Sequence, residues 1–86
     1  MQPNNSLDGH ILSVLRQSLR TVLPDLSEEQ LVLDRDLAEL GFNSLDRADV
    51  ITMTMEALGV EVPVVQFLGV KTIRELTQLF ARQSRR

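Results

Sequence analysis

The side chain best placed to take part in chemistry is Ser44, set in the run Glu39-Leu40-Gly41-Phe42-Asn43-Ser44-Leu45-Asp46. A serine nucleophile needs a base beside it, and this chain offers poor candidates. Its one histidine, His10, lies far from Ser44 in the sequence, in the first turn of a predicted helix, and reads as a solvated helix residue; there is no cysteine. The same shortage removes the usual zinc ligand sets. Asp46 and Asp49 fall three apart on one predicted helix face, but paired carboxylates without a pocket are more often surface than site. What Ser44 can do is accept a covalent group. It stands where an amphipathic helix begins, and a helix N-terminus offers unpaired N–H groups and the positive end of the macrodipole to an added phosphate. Gly41, just before, lets the loop approach tightly so that the hydroxyl faces outward. Ser44 therefore reads as a tether, and the chain as something other than an enzyme.

The totals narrow the setting. Eighty-six residues with 43% hydrophobic content suit one domain, 1–86, with a single core and frayed ends at 1–5 and 84–86. Without cysteine, any thiol used here has to be imported. The apolar residues are almost all Leu, Val, Ile, Ala and Met, with three Phe and no Trp or Tyr, which suggests a deformable core able to admit an apolar guest. Twelve acids against nine bases give a net charge of −3, the wrong sign for a nucleic-acid binder. No apolar run approaches the roughly 20 residues that span a bilayer, and Met1-Gln2-Pro3-Asn4-Asn5 lacks the pattern of a signal peptide. The expectation is a monomer in the cytoplasm whose partners are proteins, with neither nucleic acid nor membrane among them.

Periodicity supplies the frame around Ser44. Ser6 is the expected cap of a first helix in which Ile11, Leu12, Leu15, Leu19, Val22 and Leu23 form one broad apolar face, closed by Pro24. Residues 25–42 carry Leu26, Leu31, Leu33, Leu37 and Leu40 without a sustained period and read as a long ordered loop, with one turn at Ser27-Glu28-Glu29-Gln30. A loop of this length in so small a domain is usually functional. A second helix is predicted from Asn43 or Ser44 to Leu58, with Leu45, Ala48, Ile51, Met55 and Leu58 inward, Val50 and Met53 widening that face, and Gly59 as its stop. Val64 to Leu68 reads as a short helical turn, broken by Gly69. Thr72-Ile73-Arg74-Glu75 is a capping box that opens a last helix carrying Leu76, Leu79 and Phe80. The sum is an all-α fold: a small four-helix bundle, three main helices and one short, with a long first loop.

Leu40-Gly41-Phe42-Asn43-Ser44-Leu45, in this setting, resembles the Leu-Gly-x-Asp-Ser-Leu signature of the acyl carrier protein family, and the layout resembles that family over nearly the whole chain. The resemblance implies that Ser44 receives the 4′-phosphopantetheine arm of coenzyme A from a phosphopantetheinyl transferase, and holds acyl groups on it as thioesters. It also implies that Leu45 is a partner contact. Asn43 stands where the family usually has aspartate, a residue that contributes to engaging the transferase; asparagine keeps the capping geometry and drops the charge. A serine cap alone specifies little. The weight comes from the conjunction of motif and context.

Seven acids, Asp34, Asp36, Glu39, Asp46, Asp49, Glu56 and Glu61, face only Arg35 and Arg47 between positions 34 and 61. Such a field raises encounter rates and sets register, leaving affinity to a few apolar contacts, for which Leu45 and Met53 are the candidates. The docking set read from the sequence is thus Asn43, Leu45, Asp46, Arg47, Asp49, Met53 and Glu56, with Arg47 interrupting the acidic stripe as a discriminator among partners. The stretch Asn43 to Asp49, with Ala57 to Pro63, further resembles freestanding carriers of polyketide β-branching cassettes, which implies donation of an acetyl-type group to an HMG-CoA synthase-like enzyme. Ketosynthases or acyltransferases are the partners if the chain serves ordinary polyketide or fatty-acid synthesis. An aminoacyl carrier, or an unmodified helical interaction module, fits the same spacing.

Overall fold

Three α-helices form where apolar residues recur at helical spacing and where the local chemistry starts and stops them. The computed structural model describes residues 3–67 and 69–84. Helix α1 runs Pro3–Val22, α2 Ser44–Leu58 and α3 Ile73–Ser84. Two single turns of 3₁₀ type, Glu28–Gln30 and Val64–Phe67, sit in the connections.

Helix α1 starts earlier than its apolar face requires. The sequence leads one to expect a tail and a cap at Ser6, but residues 3–6 are already helical. Met1, Gln2, Arg85 and Arg86, the outer parts of the expected frayed ends, lie outside the described residues, and α3 is helical through Ser84. Ile11, Leu15 and Leu19 are fully buried, at four-residue spacing, while Leu12, Val22 and Leu23 pack against the core from its margin.

Among the described residues the fourth helix of the expected bundle is not formed. Pro63 and Gly69 bracket too few residues for a ladder of i to i+4 bonds, and what forms is one tight turn, with the Gln66 N–H donating to the Pro63 carbonyl at 3.1 Å. Leu68, which the sequence places in that turn, is outside the described residues. The described residues therefore form three α-helices, not four.

Helix α2 also turns a different side inward than its leucines suggest. Val50 and Thr54 are its buried residues, whereas Leu45 and Ala48 are exposed and Ile51, Met55 and Leu58 only half-buried. Thr54 is accommodated because its hydroxyl donates to the Val50 carbonyl at 2.7 Å and lies 3.3 Å from the Ser18 hydroxyl of α1. Helix α3 buries Ile73, Leu76, Leu79, Phe80 and Ala81.

The first connection is pinned as its leucines predict, with Leu26, Leu31 and Leu37 buried and Leu33 and Leu40 packed at the edge. All three phenylalanines are in the core, and the rings of Phe67 and Phe80 lie 5.5 Å apart, so the core has an aromatic contact that composition alone understates. Residues 33–42 are tied to the start of α3. The Leu37 N–H donates to the Lys71 carbonyl at 2.8 Å, the Arg74 N–H donates to the Leu33 carbonyl at 2.9 Å, and Asp36 bridges to Thr72. The Arg74 side chain adds an ion pair to Asp34 at 2.7 Å. The strap that delivers the chain to Ser44 is thus held at its far side by α3.

Candidate functional site

The approach to Ser44 is a series of tight turns. Carbonyls of Asp36, Leu37 and Ala38 accept in turn from the N–H groups of Glu39, Leu40 and Gly41, and the Asp36 carboxylate accepts from the Ala38 N–H at 2.8 Å. Gly41 turns the chain at φ 104, a left-handed conformation that L side chains rarely adopt. Phe42 then plunges into the core, 1% exposed, and anchors the residue before the helix cap.

Asn43, not Ser44, caps α2. Its backbone is extended (φ −82, ψ −175), and its Oδ1 accepts from the Asp46 N–H at 2.7 Å. Asp46 reciprocates, its Oδ2 accepting from the Asn43 N–H at 3.2 Å, so the two form a capping box. The pattern Asn-x-x-Asp at a helix start carries this signal in the sequence, and a search limited to Ser/Thr-x-x-Glu misses it. Gly59, at φ 68, closes the other end of the helix as expected.

Ser44 is the first helical residue and is exposed. Its hydroxyl oxygen lies 3.4 Å from Arg47 Nη2, one turn on, which donates to it. No sequence signal beyond three-residue spacing points to that contact. Leu45 projects outward at 76% exposure, away from the inward face of α2 on which its spacing places it.

The remaining docking candidates divide among three sides of α2. Leu45, Asp49 and Glu56 share an exposed stripe with Thr52, at spacings of four, three and four residues. Asp46 and Met53 lie on a flank and are half-buried, and Asp46 is committed to the cap. Arg47 is half-buried on the side of Ser44. Met53 is therefore not part of the stripe that carries Leu45. Of the other acids, Asp34 is paired with Arg74 and Glu39 with Arg35 at 3.8 Å, so the field around the anchor is weaker than a count of carboxylates implies.

Two carboxylates are held below their usual range. Asp34 is lowered by its hydrogen bond with the Arg74 guanidinium and by that cation's charge. Glu75 is lowered by accepting from the backbone N–H groups of Lys71, at 2.8 Å, and Thr72, at 3.1 Å. The Thr72 hydroxyl in turn accepts from the Glu75 N–H at 3.1 Å, the capping box read from the sequence. Arg74 is correspondingly raised by its bond to Asp34.

Beside Ser44 opens a mainly apolar cleft of about 240 Å³, lined by Ser44, Arg47, Ala48, Ile51, Thr52 and Met55 of α2 and by Leu37, Phe67, Val70 and Leu76 opposite. It lies between α2 and the segment that leads into α3. A larger groove, about 620 Å³, runs along the outer side of α1 past Arg16 and Arg20 and contains none of the site residues. Among the described residues no cluster of His, Asp or Glu could hold a metal ion, and no helix is long and apolar enough to cross a membrane. His10 is exposed. The arrangement offers an accessible hydroxyl in the field of a helix N-terminus, an arginine beside it and an apolar channel leading away.

Residues 13–80 match the family of the phosphopantetheine attachment site. The chain is similar to the polyketide biosynthesis acyl-carrier-protein AcpK of Bacillus subtilis (strain 168), with 39% identity over 69 residues, 80% of this chain and 84% of that protein. It is 38% identical over 71 residues to the non-reducing polyketide synthase olcA of Penicillium canescens, matching 83% of this chain but 3% of that much longer protein. Among solved structures it resembles a chain in the crystal structure of the curacin biosynthetic pathway HMG synthase in complex with acetyl donor-ACP. There the TM-score is 0.78 and the identity 33%, over 87% of this chain and 96% of that one.

Proposed function

We propose, from the premise that this chain belongs to the phosphopantetheine-attachment family and is an acyl carrier protein, that Ser44 is its attachment point and that it serves polyketide biosynthesis. A carrier of this kind is not an enzyme. When bound, the arm supplies the thiol that the cysteine-free chain lacks and holds an acyl group on it as a thioester.

The residues present fit such a group. The observation that carries the reading is the division of labour at the head of α2: Asn43 satisfies the helix end, so the Ser44 hydroxyl is exposed and takes no part in capping. Esterification at Ser44 breaks no helix bond and places a phosphate in the field of the first-turn N–H groups. Beyond it, Ala48, Ile51 and Met55 offer an apolar wall along which the arm can lie. Each methylene of arm or cargo covered there gains up to about 0.8 kcal/mol, too little from a two-carbon acyl group to sequester it.

Within polyketide biosynthesis we assign the chain to donation of an acetyl-type group to an HMG-CoA synthase-like partner. Support comes from the run Asn43 to Asp49 and from the likeness to a chain crystallised with the curacin HMG synthase. A carrier of fatty acids or amino acids is less well supported, since the similar proteins named above serve polyketides. Partner contact falls to the exposed stripe of Leu45, Asp49 and Glu56, beside the anchor.

The test has two stages. Incubation with coenzyme A and a promiscuous phosphopantetheinyl transferase should add one phosphopantetheinyl mass to the wild type and none to Ser44→Ala; equal addition to both would remove Ser44 from its role. The acetyl-loaded carrier should then pass its acetyl group to an HMG-CoA synthase-like enzyme faster than a fatty-acid carrier does. Equal or slower transfer would discard the donor assignment and leave the carrier function standing.

A further inference from the structure

Arg47 has an environment that the tethering role alone leaves unexplained. Among the described residues the ion pairs are Arg20 with Glu28, Arg35 with Glu39 and Arg74 with Asp34, and Arg47 is in none of them although acids crowd its part of the chain. Asp46, its neighbour, is committed to the Asn43 N–H. Asp49, two residues on, lies on a different side of the helix. The one side-chain hydrogen bond that Arg47 makes among the described residues is the 3.4 Å contact to Ser44 Oγ. Long and to a neutral partner, it engages one of five guanidinium donors. Arg47 is also half-buried, and it lines the cleft together with Ile51 and Met55, so its aliphatic stem has an apolar wall to lie on while its head reaches the anchor.

We infer that Arg47 is the cation that grips the phosphodiester once Ser44 is modified, fixing the root of the arm against α2 at the mouth of the cleft. The inference rests on the attachment reading above. On modification Ser44 Oγ becomes the ester oxygen, and the two non-bridging oxygens that share the phosphodiester's single negative charge lie just beyond it across phosphorus, toward a fork of donors shaped for two oxygens. The weak neutral contact is replaced by a charge-assisted one, and the N-terminal field of α2 acts on the same phosphate. Asn43 is part of this arrangement. A carboxylate at position 43, four residues before Arg47, would compete for the guanidinium; the amide does not. An amide at position 43 thus leaves the cation to the arm.

The experiment compares wild type, Arg47→Gln, Arg47→Lys and Asn43→Asp, each loaded with unacylated phosphopantetheine and verified by intact mass. Phosphorus NMR of the phosphodiester is recorded at low salt and at about 0.5 M salt, where the screening length falls to a few ångströms. In the wild type the resonance should be displaced from that of free phosphopantetheine and move toward it as salt rises. In Arg47→Gln it should lie near the free value at both salts, with Arg47→Lys and Asn43→Asp between. A second reading needs no variant: loading the wild type should shift the Arg47 Nε–H signal and leave those of Arg20 and Arg82 in place. Coincident phosphorus spectra for loaded wild type and Arg47→Gln, or an Arg47 signal that ignores loading, would overturn the role of Arg47 with the carrier reading intact. A wild type that takes up no phosphopantetheine would overturn both.

Discussion

Replacing Asn43 by alanine tests whether the cap and the anchor are separate devices. The substitution removes the Oδ1 acceptor that lies 2.7 Å from the Asp46 N–H, and leaves the reciprocal bond from the Asn43 N–H to Asp46 Oδ2 in place. Loss of an N-cap of this kind costs about 1 kcal/mol. For a domain of this size that corresponds to a melting temperature lowered by about 4–8 °C. Asn43→Asp should behave differently. Aspartate caps as well as asparagine, and its charge gains about 0.3–1 kcal/mol at a helix N-terminus. The Asp46 carboxylate, held in the same box, opposes that gain, so the net change should stay within about 0.5 kcal/mol. Ser44→Ala should melt with the wild type, because the hydroxyl contributes nothing to the cap. Far-UV circular dichroism melts of the four unmodified proteins suffice. If Asn43→Ala melted with the wild type while Ser44→Ala fell by several degrees, the hydroxyl would be the true cap, and an ester on it would disrupt the helix it begins.

Three further outcomes follow from the geometry. Glu75 has its carboxyl lowered in the folded protein by the Lys71 and Thr72 N–H groups, so its contribution is present above the ordinary carboxylate range and is lost as pH falls through the lowered folded value; acid melts of wild type should therefore steepen relative to Glu75→Gln, and parallel curves would contradict the assignment. Thr54→Val leaves the Ser18 hydroxyl without its partner at 3.3 Å and should cost about 1–3 kcal/mol in urea denaturation, whereas adding Ser18→Ala should recover part of the loss; a double variant weaker than the sum of the singles would argue against the pair. Asp49→Lys with Glu56→Lys should slow association with an HMG-CoA synthase-like partner, most strongly at low salt, without changing the melting temperature; an equal loss of fold would show that these residues are not the free surface they are taken for.

The start of α2 could be read from residue types because capping is local: Asn43 and Gly59 mark its limits within four residues of the bonds they make. The same holds for the Thr72–Glu75 box and for the leucines that pin the first connection, since apolar residues in a long polar loop have few places to go. Which side of α2 faces inward was not legible. Its apolar residues circle the axis, and Thr54 is buried with its hydroxyl bonded to the Val50 carbonyl and met by that of Ser18, 36 residues away. The ion pair of Asp34 with Arg74 spans 40 residues and leaves no mark on either neighbourhood. Val64 to Leu68, counted in the sequence as the bundle's short fourth helix, yields only the turn Val64–Phe67 among the described residues, because length decides whether a turn propagates.

The reciprocal bonds between Asn43 and Asp46 have a practical consequence for anyone mapping how enzymes recognise this protein. Asp46 is the first carboxylate after the anchor and the natural starting point for a scan of surface charges, yet changing it loosens the very turn that displays the serine. A slower reaction in an Asp46 variant would mix damaged presentation with lost attraction, and the two would be indistinguishable in a rate. Asp49 and Glu56, free of any such duty, are the positions at which a recognition map can be drawn cleanly.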